Sequence, residues 1–539
     1  MKNLFLAGAA AIAMSAAPAF AAQTTAASAA TAVVPDNILL KKWTGPYDGV
    51  PPWDQVTPAL FPQAFQFGID EMLKEIDAIA NNSAAPTFEN TIEAMERSGE
   101  RLDYVQSIFG VYSSNLSNPE VQAINKEWSA KLSAAYDKVN LNGALFKRIE
   151  RLYEQRDQLG LDSKQKRLLT RTYEGFVRRG AKLDEAQKAQ LSAYNEQLAG
   201  AFSDFNSKLL ADESTYTAAT EADLAGVPAD VKDAAAAAAK EAGQAAGTYA
   251  IANTRSAVEP VLSFGTNRAF REKVWKAFVQ RGDNGNANDN NALIAQIVKL
   301  RSDRAKLLGY ATHADWRMQD TMAKSPAKAM DLMMRVWKPA VARVHQEVAD
   351  MKPFAAKDGV TTIEPWDYRF YQEKVRKAKY DLSQDEIKPY LALDNLVKGM
   401  FWSAEQLYDL KFTENTGKVA VFNPDVRTFE VSNAKTGEVT GLFYLDTYAR
   451  KGKRSGAWAT TYRSRARLLD DNIVLGSNNN NFTKPSPGQP VLISLNDAET
   501  LWHEFGHAIH YYLTDVKYPS LGGSPVSYTH LTLPTILLV

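Results

Sequence analysis

The sequence predicts a mainly α-helical fold with one short β region near its C-terminal end. Three observations carry this. Apolar residues recur at helical spacing from Phe61 to about Leu210, and again in segments reaching about Leu410. A β pattern appears only between Phe429 and Leu495. The chain has 539 residues, too many for one ordinary core, so two or more lobes are expected. Hydrophobic residues make up 45%, within the globular range. Lys+Arg and Asp+Glu both number 62, which argues against a nucleic-acid partner, since such proteins carry a basic excess. There is no cysteine, so disulfides are excluded and any metal site must use histidines and carboxylates.

In chain order, residues 1–21 read as a secretory signal peptide. Lys2 supplies the positive start, Leu4 to Met14 the apolar run, and Ala19-Phe20-Ala21 the cleavage site. No cysteine follows to carry a lipid, and no later run is long and apolar enough to span a bilayer. The expectation is a soluble, monomeric protein exported to a bacterial periplasm. Residues 22–38 form a flexible linker rich in Ala, Thr and Ser. Residues 39–255 form an N-terminal helical region. Within it Phe65, Ile69, Met72, Ile76 and Ile79 mark one amphipathic helix, and Pro86 to Thr91 reads as a loop before a helix carrying Ile92, Met95 and Leu102. The alanine-rich stretch Asp230 to Ala246 reads as a surface helix.

Residues 256–523 form the second region. It opens with a helix carrying Phe270, Val274 and Phe278, followed by an Asn/Gly/Asp loop from Asp283 to Asn291. Phe429–Val431 and Leu442–Leu445 read as short strands around the turn Lys435-Thr436-Gly437, and Val491–Leu495 as a third. Asn478 to Asn481 and Pro485 to Gly488 read as loop. No solenoid repeat is present.

The most specific feature is His503-Glu504-Phe505-Gly506-His507. On a helix, residues four apart share a face, so two imidazoles can reach one zinc ion, with the intervening glutamate placed to take a proton from water. With only six histidines in the chain, a chance match is improbable. A helix over Asp497–Leu513 is predicted, with Asn496 and Glu499 as its capping pair and an apolar face of Leu501, Phe505, Ala508, Ile509 and Leu513.

The segment Asp497 to His510 resembles the zinc helix of the thimet oligopeptidase and neurolysin family of metallopeptidases, in its bacterial peptidyl-dipeptidase branch. Pro86 to Ala94, Leu141 to Phe146, Pro365 to Tyr368, Asn423 to Arg427, Gly441 to Asp446 and Lys453 to Trp458 are similar as well, so the resemblance runs from about Leu39 to Gly523. It implies two helical lobes flanking a deep substrate channel, with a small β-sheet next to the zinc helix. It further implies Zn2+ as cofactor, short peptides as substrates, His503 and His507 as ligands and Glu504 as general base. Pairing of an extended substrate with the sheet's edge strand is also implied, and Val491–Leu495 is the candidate edge.

The family's third ligand is a glutamate on a later helix. By spacing it falls at Thr532, and no glutamate follows Glu504. His510 is seven residues from His503, about 10 Å along a helix axis, while nitrogens on one zinc lie within roughly 4 Å of each other. His510 is therefore read as a packing residue. Asp515 is poorer still, and His530 would serve only if the tail folded back. Residues 524–539 do not resemble the family. They read as an unrelated, apolar, β-prone tail on an incomplete member, and as an aggregation hazard. Two functions stand side by side: a zinc peptidase of short peptides, and a non-catalytic periplasmic peptide-binding pseudo-enzyme. Outside the motif, Lys451, Lys453 and Arg454 read as a solvated basic turn, Trp366 and Tyr371 as core, Asp446 and Arg450 as an ion pair, and His313 and His345 as structural.

Overall fold

The computed structural model describes residues 33–381, 384–485 and 488–522. The signal sequence, most of the linker, and the tail with His530 and Thr532 lie outside the described residues.

Helix α1, Phe61–Ala80, buries every apolar position its spacing predicted. The stretch after Pro86 is helical from Phe88 rather than loop. Thr87 and Asn90 cap it reciprocally, and it winds wide over Phe88–Glu93. Gly99, at φ +90°, ends this piece and starts α2, Glu100–Asn115, so the single expected helix is two. Four more helices follow: α3 (Pro119–Asn140), α4 (Gly143–Glu154), α5 (Ser163–Arg178) and α6 (Glu185–Glu213). Asn118, Asn142, Asp162 and Asp184 cap these four, each side chain accepting a first-turn N–H.

An antiparallel pair that hydropathy did not reveal, β1 (Tyr216–Ala219) and β2 (Tyr249–Ala252), flanks the alanine-rich helix α7 (Ala229–Glu241). Helices α8 (Arg255–Phe264), α9 (Arg268–Val279), α10 (Asn291–Leu307), α11 (His313–Arg317), α12 (Pro326–Lys357), α13 (Tyr368–Tyr380) and α14 (Leu393–Tyr408) continue the chain. Tyr371 is buried core, as expected.

The β region is larger than the sequence predicted. It has five strands: β3 (Leu410–Glu414), β4 (Arg427–Asn433), β5 (Val439–Tyr448), β6 (Trp458–Arg463) and β7 (Val474–Phe482). Their order is β3-β4-β5-β7-β6, with β5 and β7 parallel and the other pairs antiparallel. The asparagine run taken for loop is the middle of β7. Two of its amides, those of Asn479 and Asn481, find partners on other segments, while the Asn480 amide is buried without a hydrogen-bond partner among the described residues. Asn479 accepts from Asn115 at 2.7 Å and donates to the Trp458 carbonyl at 3.2 Å. Asn481 donates to the carbonyls of Arg454 and Gly456. The expected strand at Val491–Leu495 does not form. Leu492 makes one isolated bridge with Ala392, and Leu495 already opens the last helix, α15 (Leu495–Leu513).

The sheet lies between two helical layers. Leu442, Tyr444 and Leu475 join the core of the N-terminal helices. Phe443, Leu445 and Val474 face the other way, into a second core with α14 and α15. The fold is therefore mainly α with a small sheet against the motif helix, as predicted. The basic turn is not solvated throughout. Lys453 is buried, with its ammonium 2.9 Å from Asp446. Asp446 also takes both ends of the Arg450 guanidinium at 2.7 Å and the Asn115 amide at 2.8 Å.

Candidate active site

Helix α15 starts two residues earlier than predicted because Ser494, not Asn496, is its cap. The Ser494 hydroxyl accepts the Asp497 N–H at 3.1 Å and donates to the Asp497 carboxylate at 2.9 Å. Asp497 places negative charge at the positive end of the helix, and Arg255 of α8 pairs with it at 2.6 Å. At the far end, the Tyr512 hydroxyl donates to the Leu442 carbonyl at 2.9 Å. Gly441 makes room for that ring, since a Cβ there would lie 2.4 Å from Tyr512 Cε1. Leu501, Phe505, Ala508 and Tyr512 face the second core, which fixes the rotation of the helix.

That rotation sets the motif. The rings of His503 and His507 stand 5.1 Å apart between centroids, with planes at 76°. Burial lowers the pKa of His503. His507 is 8% exposed, and its pKa is pushed down to about 4 by burial, helped by His503 and His510. Both rings are therefore neutral near pH 7, the form that binds a metal. Glu504, 7% exposed, is pushed up to about 7 by burial, opposed by the Ala459 N–H and the charge of Arg454. Its carbonyl accepts from the Asn478 amide at 2.7 Å, tying the motif to β7.

The two imidazoles fit two of the three protein ligands of a catalytic zinc. Among the described residues, no group of three His, Asp or Glu side chains gathers to hold a metal. His510 sits near His507 without completing such a group, and Asp515 is paired with Arg467. His313 and His345 lie on α11 and α12, away from the motif. Sequence reasoning missed β6, the edge strand whose Ala459 touches Glu504. The alternation of aromatic and β-branched residues from Trp458 to Tyr462 was the available signal.

The profile of Peptidase family M3 matches residues 262–538. Dipeptidyl carboxypeptidase of Escherichia coli is 35% identical over 503 residues, which cover 93% of this chain and 73% of that protein. Its namesake from Salmonella typhimurium matches to the same extent. The chain belongs to peptidase family M3. Within M3, oligopeptidase A of Escherichia coli is similar at lower identity, 27% over 496 residues, covering 90% of this chain and 72% of the relative. The M3 profile takes in α9 to α15 and all five strands of the sheet, so the motif helix and the strand beside it lie inside the matched stretch, which also runs into the tail expected to be unrelated.

Proposed function

We propose that this chain is a zinc peptidase of short peptides that releases C-terminal dipeptides, with His503 and His507 as metal ligands and Glu504 as general base. The observation that carries the reading is the paired imidazoles one helical turn apart, with the buried Glu504 between them and against the edge strand β6. Family membership supports peptide hydrolysis, and the name dipeptidyl carboxypeptidase, borne by the relatives at 35% identity, supports the dipeptide product. Zinc bound there would polarise the scissile carbonyl and lower the pKa of water. Glu504 takes the proton of the attacking water and delivers it to the leaving nitrogen as the C–N bond breaks. The outer edge of β6 pairs with an extended substrate backbone.

Glu504→Gln is expected to keep zinc and lose turnover by about a hundred- to ten-thousand-fold. His503→Ala and His507→Ala are expected to lose zinc. Metal analysis and a quenched-peptide assay check both, and full turnover in Glu504→Gln would assign the base elsewhere.

A second reading is a peptide-binding pseudo-enzyme. The observation behind it is that no group of three His, Asp or Glu side chains gathers to hold a metal among the described residues. On that reading zinc binds weakly and the quenched peptide stays intact. We also propose export to the periplasm on the strength of residues 1–21, tested by cell fractionation. No helix among the described residues is long and apolar enough to cross a membrane.

A further inference from the structure

A cavity of about 790 Å³ lies among α3, α6, α10 and α11, and three arginines converge on it. Arg301 and Arg304 come from α10 and Arg317 from α11. Their guanidiniums are held by aromatic faces rather than by carboxylates. Arg301 lies 5.0 Å from the centre of the Phe202 ring, and Arg304 and Arg317 lie 4.7 and 5.5 Å from Trp316. Arg304 donates to Asn195 at 2.8 Å, a neutral partner. Among the described residues none of the three forms an ion pair. Three carboxylates also line the cavity: Asp137 accepts from Asn195 at 2.9 Å and reaches Arg304 only through its charge, Asp320 pairs with Arg178 at 3.0 Å, and Glu213 pairs with Arg281 at 3.0 Å. The Nε atoms of Arg301 and Arg304 and Nδ1 of His313 are buried without a hydrogen-bond partner among the described residues. Three guanidiniums without a direct ion pair, two of them with a buried unpartnered Nε, therefore leave donors in one half-buried cavity that an incoming anion could take up.

The size and lining of the cavity define that anion. Its volume is that of a site for a molecule of many atoms, not for a small inorganic ion. Between the arginines the wall is apolar and amide-bearing, with Leu198, Ile297 and Asn195. The same cavity wall reaches Arg454, whose charge also acts on the Glu504 carboxyl.

We propose that Arg301, Arg304 and Arg317 bind a carboxylate of a peptide held in this cavity, either an Asp or Glu side chain or a free C-terminus, so that acidic peptides are the preferred ligands. The inference rests on the peptide-hydrolase reading for its ligand class, not for its charge. Planar guanidiniums fixed against aromatic rings are pre-organised to grip a carboxylate through paired N–H bonds.

Calorimetry with the full chain tests it, using N-acetylated alanine-rich hexapeptides. One carries a glutamate and a C-terminal amide, one carries glutamine in its place, and one is neutral in its side chains with a free C-terminal carboxylate. The expected result is that the glutamate peptide, the free-acid peptide, or both bind about tenfold or more tightly than the neutral peptide, which also tells the two carboxylate sources apart. The gap is expected to close in Arg301→Gln/Arg304→Gln. Arg317 is exposed, so Arg317→Gln serves as the variant least able to disturb folding, with the gap expected to narrow several-fold. Equal binding of all three peptides overturns the proposal, as does an unchanged gap in the folded variants. Binding of inorganic phosphate alone, without preference for acidic peptides, also overturns it. In His503→Ala the gap is expected to persist, and its loss there would assign the acid to the motif helix. A persistent gap without cleavage by the unmodified chain would defeat the peptidase reading and leave this one standing.

Discussion

Glu96 shows how a single carboxyl can set the pH response of the fold. It is 1% exposed, and burial pushes its pKa up to about 7, opposed by hydrogen bonds from Ser520. Unfolded, it releases its proton near pH 4.3. Between these values the folded chain holds more protons than the unfolded one, so stability falls as pH rises and the full cost is present above pH 7. Glu96→Gln is expected to stabilise the protein at pH 8 by on the order of 2 kcal/mol and to change little at pH 4. Melting curves at the two pH values check this, and equal effects at both would contradict it. Asp446 behaves oppositely. Burial pushes its pKa up, but Arg450 and Lys453 outweigh that and hold it below the usual range. Asp446→Ala leaves the buried Lys453 and the half-buried Arg450 without their partner and is expected to cost about 3–5 kcal/mol, read by chemical denaturation. The Asp446–Arg450 pair was legible in the sequence. Burial of Lys453 was not, because a Lys-Gly-Lys-Arg run reads as a solvated turn, although its partners Asp446 and Tyr448 stand only seven and five residues away.

Among the elements, the motif helix was the most legible and the sheet the least. The period of Leu501, Phe505 and Ala508 marks a helix, but the face is completed by Tyr512 and not by the expected Leu513, which is exposed. The start of α15 was misplaced because Ser494 and Asn496 are both good caps, and only the chain's approach from Ile493 selects between them. Strand β7 hid behind its asparagines, since a polar run signals a loop unless distant groups take up its amides. Contact between sheet and helix depends on a missing side chain. Gly441→Ala would push a methyl into the Tyr512 ring, and a destabilisation of about 1–3 kcal/mol is expected. Zinc content is expected to fall with it as α15 shifts. A melting temperature like that of the parent would show that the ring can step aside.

On the scale of the whole molecule, the N-terminal helices and the sheet share one core through Tyr444, Tyr462 and Leu475. Hydrogen exchange is therefore expected to show α1, α2, β5 and β7 opening together, while β1 and β2, packed in a smaller cluster of their own, open at lower cost. Protection lost first from α1 and α2 alone would contradict a shared core. Composition and length announced a multi-lobed helical protein. They did not reveal that its earliest helices lean on its late strands, because that fact resides in pairs of residues hundreds of positions apart.

Those pairs have a consequence for how the protein is made. Tyr47 donates to Glu430 at a separation of 383 residues, and Glu93 accepts from Lys517 and Tyr518 at separations of 424 and 425. The Glu96 carboxylate meets the Ser520 N–H across 424 residues. Among the first hundred residues, Tyr47, Glu93 and Glu96 thus wait for residues between 430 and 520 to leave the ribosome before these polar groups find partners. Contacts this distant in sequence form late and slowly. During synthesis these early groups lack their late partners, and the leading helices are open to a holding chaperone.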